Sequence, residues 1–204
     1  MTSAEAAAAA RPRVEGVREQ QILDAALDVL AEVGYDRLTM DAVAQRAKAS
    51  KATLYRRWTS KAKLVVEALA QTKTTPEIPD TGDLRTDLMA AFCGHGGLTD
   101  QDTTSTFGAV VTAVTTDEEF AAEFRRQVVE PKSVVSRTVF ERARDRGELR
   151  DDLDLDLVVP ALAGIVLHRV FVLGEHPDAD LIERAIDQII LPAVRPQAPN
   201  PSSS

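Results

Sequence analysis

The spacing of the apolar residues limits the fold of this chain more than any other feature of its sequence. Over most of the 204 residues they recur every three or four positions, which places them on one face of an α-helix. Aromatic residues make up only 4% of the chain and glycines number ten, while alanine, leucine, arginine, aspartate and glutamate dominate. This composition favours helices over strands. We therefore predict an all-α fold of about nine helices.

Capping residues divide the first third of the chain into four helices. A helix of about 17 residues is expected to end at Gly34, and Thr39 is expected to begin a helix of two turns. Ser50 and Ser60 begin the next two helices in the same way. The second and third helices, joined by a three-residue turn, have the spacing of a helix-turn-helix, whose second helix enters the major groove of DNA. A small helical bundle without DNA-binding function has similar spacing, so geometry alone leaves both interpretations open.

Charge is divided unevenly along the chain, whose net charge is −8. Residues 37–63 contain eight basic residues and one acidic residue, a local net charge of +7, whereas residues 64–204 contain 13 basic and 24 acidic residues, a net charge of −11. A short basic module joined to an acidic body is the electrostatic pattern of a DNA-binding protein with a second domain. Lys51, Lys61 and Lys63 fall in first helical turns, where a lysine opposes the helix dipole but suits a bound phosphate.

Four short motifs lie within this basic region. They are Thr39-Met-Asp-Ala-Val-Ala44, Ala47-Lys-Ala-Ser50, Thr53-Leu-Tyr-Arg-Arg-Trp58 and Ser60-Lys61. Together they resemble the DNA-binding domain of the tetracycline-repressor (TetR) family of bacterial transcription regulators, over about residues 17–70. The resemblance implies a three-helix DNA-binding domain with a helix-turn-helix, followed by a larger helical domain that binds a ligand and forms the dimer.

The resemblance also implies which residues contact DNA. Thr53, Tyr55 and Lys61 match residues that contact the DNA backbone, and Leu54 and Trp58 match core positions. The residues that contact bases lie on the second helix of the helix-turn-helix and are Lys51, Ala52 and Arg56. Arg56 can pair bidentately with guanine, and Ala52 can contact a thymine methyl group. The predicted DNA-contacting residues are Thr39, Lys48, Ser50, Lys51, Ala52, Thr53, Tyr55, Arg56, Arg57 and Lys61.

Lys48 departs from the family pattern, which commonly has glycine in this turn. A left-handed backbone conformation costs a residue with a side chain about 1 kcal/mol or more. Either the turn differs from that of the family, or Lys48 gains a phosphate contact in compensation.

A segment with two prolines and a glycine, residues 74–82, separates the basic region from the rest of the chain. We predict a disordered arm over residues 1–14, the DNA-binding domain over 15–75, the ligand-binding and dimerisation domain over 76–195, and a disordered tail over 196–204. A long helix over residues 117–146 is expected to kink at Pro131.

The second domain is expected to bind a small molecule and to form a homodimer. By resemblance, its core surrounds a cavity for a small hydrophobic or amphipathic effector. The candidate effector-pocket residues are Met89, Phe92, Cys93, Phe107, Val111, Phe124, Val128 and His168. The last two helices are too apolar for a monomer and predict a four-helix bundle between two copies. The candidate dimer-interface residues are Ile165, Phe171, Ile182, Ile186, Ile189 and Ile190.

These observations predict a repressor that binds a palindromic operator as a homodimer and is released by its effector. A two-fold dimer presents its recognition helices to half-sites roughly 34 Å apart, or a multiple of that distance. A transcriptional activator and an effector-independent DNA-binding regulator share the same sequence features, so both alternatives stay open.

A helical-bundle enzyme and a protein-interaction adaptor are the alternatives from other classes. The sequence contains no H-E-x-x-H, C-x-x-C, G-x-x-x-x-G-K or G-x-S-x-G pattern. The acidic run Asp151–Asp156 lacks the glycine and the distal glutamate of a calcium loop. A protein-interaction adaptor would not explain the basic charge of the helix-turn-helix. We therefore predict no enzymatic activity, no cofactor and no metal.

The sequence also predicts a cytoplasmic location. A single cysteine, Cys93, excludes an internal disulfide and is typical of a reducing compartment. The longest apolar stretch, Leu157–Leu167, has 11 residues, and a helix that crosses a bilayer needs about 20. The N-terminal alanine run precedes Arg11 and Arg13, the reverse of the order in a signal peptide. No contact with a membrane is expected.

Overall fold

The computed structural model describes residues 3–71, 78–93, 101–175 and 177–196, with side chains described from residue 16 and, in the third segment, from residue 108. Every regular element among these residues is helical, which confirms the predicted all-α fold. The predicted tail, apart from Pro196, and part of the predicted linker at 74–82 lie outside the described residues.

The helices follow one another along the chain with short connections. Those of the first half are α1 (Ser3–Arg37), α2 (Met40–Arg46), α3 (Lys51–Arg57), α4 (Lys61–Gln71), α5 (Leu84–Cys93) and α6 (Gln101–Thr116). Those of the second half are α7 (Glu118–Phe124), α8 (Glu130–Asp145), α9 (Leu155–Val158), α10 (Ala161–Leu173), α11 (Ala179–Ala185) and α12 (Leu191–Val194). The π-helical turns Arg125–Val129 and Ile186–Ile190 join α7 to α8 and α11 to α12. If each pair joined by a π-helical turn is counted as one helix, and α9 and α10 are also counted as one, the described residues form nine helices, as predicted.

Helix α1 differs from its prediction at one end and agrees with it at the other. Its backbone is helical from Ser3, where the sequence predicts a disordered arm over residues 1–14. The alanine run at 6–10 accounts for the difference, because alanine has the highest helix propensity. The helix breaks at Gly34, whose φ of 76° and ψ of 168° are not helical, and this confirms the predicted end.

The predicted kink at Pro131 takes the form of a π-helical turn. Proline has no N–H to donate, and its ring clashes with the carbonyl four residues earlier in a regular α-helix. The turn Arg125–Val129 comes directly before the start of α8, where Pro131 occupies the first helical turn. A widened turn at this place removes the clash and lets the helical segment continue.

The chain divides into two compact units. Unit 1 is Met1–Thr72 with Thr106–Val128, and unit 2 is Lys73–Ser105 with Val129–Ser204. This division differs from a single predicted boundary near residue 75, because α7 and most of α6 group with α1–α4. Val110, Ala113 and Phe120 are buried in the same core as Leu23 and Val65, which explains the grouping.

Unit 2 has its own core, in which α5 packs against α8 and α11. Asp87 is the buried charged residue of the described chain. Its Oδ1 accepts hydrogen bonds from the backbone N–H and the hydroxyl of Thr81, both at 2.7 Å, and Arg146 pairs with its Oδ2 at 3.5 Å. These bonds fix the chain that enters α5 against α8, since a buried carboxylate must be paired and hydrogen-bonded.

The apolar stretch Leu155–Leu173 is long and apolar enough to cross a membrane by length and composition alone. In the structure a turn at residues 159 and 160 interrupts this stretch, between the end of α9 at Val158 and the start of α10 at Ala161.

Candidate nucleic-acid interface

Side-chain caps hold both helices of the helix-turn-helix. The hydroxyl of Thr39 accepts a hydrogen bond from the N–H of Ala42 at 3.1 Å at the start of α2. The hydroxyl of Ser50 accepts one from the N–H of Thr53 at 3.1 Å at the start of α3. The predicted caps are confirmed, and each satisfies a backbone donor that a helix start leaves unpaired.

The turn between α2 and α3 is left-handed at Lys48. Its φ is 50°, the one positive φ of a non-glycine residue in the described chain. The N–H of Ala49 donates to the carbonyl of Ala44 at 2.9 Å, which closes the end of α2. Arg18 of α1 donates to the carbonyl of Lys48 at 2.5 Å. The turn therefore keeps the left-handed conformation for which glycine is the usual residue, and α1 holds it in place.

Helix α3 has one buried side and one exposed side. Leu54 is completely buried and Trp58, at its C-terminal cap, is 2% exposed, so their predicted core positions are confirmed. The opposite side faces solvent and carries residues predicted to contact DNA, with Tyr55 52% exposed. The exposed residues of this side are Lys51, Ala52, Tyr55 and Arg56.

The cations near this surface differ in their partners. Arg56 and the side chain of Lys48 make no ion pair or hydrogen bond with any residue that the structure describes. Lys51 forms an ion pair with Asp41 of α2 at 2.5 Å, but both side chains are more than half exposed. Exposed ion pairs contribute little to stability, so Lys51 can exchange its partner for a phosphate at small cost.

Two of the predicted DNA-contacting cations are bound within unit 1. Arg57 pairs with Glu19 of α1 and Glu67 of α4, each at 2.8 Å. The amine of Lys61 donates to the backbone carbonyl of Tyr35 at 3.1 Å and lies 4.2 Å from the centre of the Tyr35 ring. Their acceptors lie 10 to 38 positions away in the sequence, and no local pattern reveals them.

A second group that the sequence did not predict ties α1 and α4 to α7. The hydroxyl of Tyr35 donates to Asp117 at 2.6 Å, and the same carboxylate caps α7 by accepting from the N–H of Phe120 at 3.0 Å. Burial raises the pKa of Tyr35 far above its usual range, and the bond from Tyr35 lowers the pKa of Asp117. The hydroxyl of Ser60 donates to Glu119 at 3.0 Å. These contacts join α7 to the helices that carry the helix-turn-helix.

The candidate effector residues are divided between the two units. Met89, Phe92 and Cys93 lie along α5 in unit 2, where Phe92 is 8% exposed and the other two pack against the core. Phe124 and Val128 pack against the core of unit 1, and Val111 is 40% exposed. The side chain of Phe107 lies outside the described residues.

The polar candidates show no sign of a metal site. His168 is exposed, and burial raises the pKa of the Cys93 thiol, which makes this cysteine less reactive. Among the described side chains there is no group of three or more histidine, cysteine or acidic residues that could hold a metal ion.

The predicted dimer-interface residues differ in their burial. Ile182, Ile186 and Ile190 are at most 3% exposed and belong to the core of unit 2, which leaves them little surface for a contact with a partner. They lie four residues apart on the inner face of their helical segment, whereas Ile189 and Phe171 are exposed. Ile165 packs against the core of unit 2.

Comparison with known proteins agrees with this geometry. The family model described as "Bacterial regulatory proteins, tetR family" matches residues 22–68, and "Tetracyclin repressor-like, C-terminal domain" matches residues 78–189. A capped helix-turn-helix with a basic, exposed second helix defines a DNA-binding transcription regulator. The chain belongs to the TetR family of these regulators.

Relatives support the same assignment over most of the chain. The chain is 35% identical over 183 residues to the DNA-binding transcriptional repressor TetR of Mycobacteroides abscessus, which covers 89% of this chain and 96% of the relative. It is 34% identical over 171 residues to the HTH-type transcriptional regulator YdeS of Bacillus subtilis, covering 81% and 84%. The solved structure of the TetR family transcription regulator SCO0332 superposes with a TM-score of 0.63 at 28% identity, over 86% of this chain and 97% of that one.

Proposed function

We propose that this regulator is a repressor that binds a palindromic operator as a homodimer. The main support for the proposal is that Tyr55 and Arg56 are exposed on the outer side of α3. This helix is capped by Ser50 at its first end and by Trp58 at its second end. Arg56 is suited to the major-groove edge of a guanine and Tyr55 to a backbone phosphate. The similarity to a relative named as a repressor favours repression over activation.

Exposed apolar side chains in unit 2 support the homodimer. Most of the apolar segment Leu155–Leu173 is not buried within the protein. The exposed large apolar side chains on α9, on α10 and in the turn Ile186–Ile190 are Leu157, Phe171, Val172, Leu173 and Ile189. Exposed apolar groups on adjacent helices are typical of a surface that a second copy covers, and a two-fold contact of this kind builds a four-helix bundle. Members of the family act as dimers, and these residues are our candidates for the contact.

Release by a small hydrophobic or amphipathic effector is the third part of the proposal. Phe124 and Val128 are half-buried on the helical segment that begins at Asp117. A ligand that shifts this segment strains the bonds to Tyr35 and Ser60, and so changes how α4 and α3 are held. Because coupling is reciprocal, bound operator weakens effector binding by the same factor.

The function also indicates where the protein works and what it lacks. We place the regulator in the cytoplasm, since its operator is part of the bacterial chromosome. The apolar surface of unit 2 then faces a second copy rather than a lipid bilayer, and the proposed activity needs neither catalysis nor a metal.

A transcription reporter tests repression. The reporter gene is placed behind the DNA upstream of the regulator's own gene, in cells with and without the regulator. Repression predicts higher expression without it, and the Tyr55→Ala, Arg56→Ala double variant should behave like the deletion. Arg184→Ala, which removes an exposed cation from unit 2, is the matched control and should repress normally. Lower expression in the deletion strain would identify an activator instead.

A further inference from the structure

The recognition helix α3 depends on contacts beyond its own length. It has seven residues and a single buried one, Leu54. A helix this short is not stable alone in water, so its direction is set by what holds its two ends. Ser50 holds the first end by capping. At the second end, Arg57 is the last helical residue and Trp58 is the C-cap.

Arg57 is held by two acids from two other helices. Its Nε donates to Glu19 of α1 at 2.9 Å, its Nη2 lies 2.8 Å from the same carboxylate, and Nη2 also donates to Glu67 of α4 at 2.8 Å. The guanidinium stands 5.4 Å from the centre of the Trp58 ring. A planar guanidinium can satisfy two carboxylates and an aromatic face at once, and a lysine amine cannot reproduce this geometry.

Glu67 binds both residues at this end of α3. One of its oxygens accepts from Arg57, and the other accepts from the indole N–H of Trp58 at 3.0 Å. Its side chain is only 18% exposed, and Gln71 donates to it at 3.4 Å. A buried indole N–H needs an acceptor, so this carboxylate has a defined structural task.

We propose that Arg57 is a positioning residue of the DNA-binding site, and that Glu19, Glu67, Arg57 and Trp58 form a clamp that sets the direction of α3. The sequence predicts Arg57 among the residues that contact DNA. In the structure the side chain of Arg57 is 52% exposed, but it binds two acids at once, which are 32% and 18% exposed, whereas the adjacent Arg56 has no partner among the described residues. This inference rests on the DNA-binding function and adds a residue role to it.

Salt dependence separates positioning from phosphate contact. The probe is a duplex that the wild-type protein selects from a random-sequence library, and binding is followed by fluorescence anisotropy at several salt concentrations. A lost phosphate contact lowers the slope of log affinity against log salt by about 0.9. For Arg57→Gln we expect an unchanged slope with at least about tenfold weaker binding, because the site loses its geometry. Lys51→Gln removes the exposed cation in the first turn of α3, which can bind a phosphate, and is the control that should lower the slope.

The conservative variants sharpen this test. Arg57→Lys keeps the positive charge, so a phosphate contact predicts nearly normal binding, whereas the clamp predicts a loss like that of Arg57→Gln. Glu67→Gln removes a negative charge, so electrostatics alone predicts equal or tighter binding. The clamp predicts weaker binding to the selected duplex, with binding to unrelated duplex unchanged. Normal binding by both variants overturns the proposal.

Trp58 gives a readout that does not depend on DNA, because it is the single tryptophan of the chain. Loss of the clamp should shift its fluorescence emission in Arg57→Gln and Glu67→Gln, while Arg56→Gln leaves it unchanged. Circular dichroism verifies that each variant is folded. An unshifted emission in Glu67→Gln contradicts the clamp even if DNA binds. If the emission shifts but the wild-type protein selects no duplex, the clamp exists and the DNA-binding function is what fails.

Discussion

Helix α3 of unit 1 and the segment from α11 to α12 of unit 2 show how differently a helical pattern can constrain structure. In α3 the apolar residues lie on one side, so Leu54 and Trp58 face inward and the polar side must face solvent. The segment of unit 2 also has a charged outer side, which carries Glu183, Arg184 and Asp187. Ile189 is exposed although it is as apolar as the buried Ile186 and Ile190. Hydrophobicity alone therefore identifies the buried residues of α3 but not those of the unit 2 segment, where an apolar residue can also lie on the outer side.

The largest expected effect tests the two sides of the unit 2 segment. Ile182→Ala removes a completely buried side chain and should lower the free energy of unfolding by about 2–5 kcal/mol. Ile189→Ala, at a half-exposed position, should lower it by less than about 1 kcal/mol and should instead raise the dimer dissociation constant. Urea unfolding at one fixed protein concentration and sedimentation measure the two quantities. Equal destabilisation by both variants would mean that the two sides are not distinct.

An intermediate effect is expected for the bond between Tyr35 and Asp117 in unit 1. Tyr35→Phe removes a hydrogen bond to a charged acceptor and should lower the free energy of unfolding by about 1–3 kcal/mol near neutral pH. Tyr55→Phe, at an exposed hydroxyl without a partner among the described residues, is the control and should have no effect.

The pH dependence of this difference follows from the two pKa shifts. Asp117 has a lowered pKa when folded, so its contribution is present above about pH 4 and is lost as the pH falls. Tyr35 has a raised pKa when folded, so its contribution is present below about pH 10 and is lost as the pH rises. Urea unfolding of wild type and Tyr35→Phe should differ most between these limits. A difference that stays constant from acid to alkaline pH contradicts the bond.

The smallest expected effect separates stability from function in the turn. Lys48→Gly relieves the left-handed strain and should raise the free energy of unfolding by about 1 kcal/mol. If Lys48 also contacts a phosphate, the variant binds the selected duplex more weakly, with a salt slope lower by about 0.9. Thermal unfolding and an anisotropy titration measure the two effects. A destabilised Lys48→Gly protein would show that the lysine side chain itself supports the turn.

The sequence was informative where structure is set locally. Capping by Thr39 and Ser50, the helix break at Gly34 and the inner face of α3 all follow from neighbouring residues. The charge of residues 37–63 was a coarser guide, because Arg46 and Arg57 are paired with acids of α1 that lie outside that segment.

Contacts between distant segments could not be predicted in this way. Tyr35 and Asp117 are 82 positions apart, and nothing in either neighbourhood indicates that they meet. Helix α7 groups with unit 1 because the side chain of Phe120 is buried in the core of that unit. Sequence spacing shows that a residue is apolar or a cap, but the partner across the core is set by the packing of the whole unit.

A titration of the selected duplex at several salt concentrations is the most direct test of whether the outer side of α3 binds DNA in a dimer. We expect two protomers to bind each duplex, as counted by sedimentation, with an affinity that falls as the salt concentration rises. The Tyr55→Ala, Arg56→Ala double variant should bind at least about a hundredfold more weakly, because it loses a bidentate base contact and a phosphate contact together. The double variant should remain folded, because both side chains are exposed. Unchanged affinity and salt slope in a folded double variant would show that the outer side of α3 does not bind DNA.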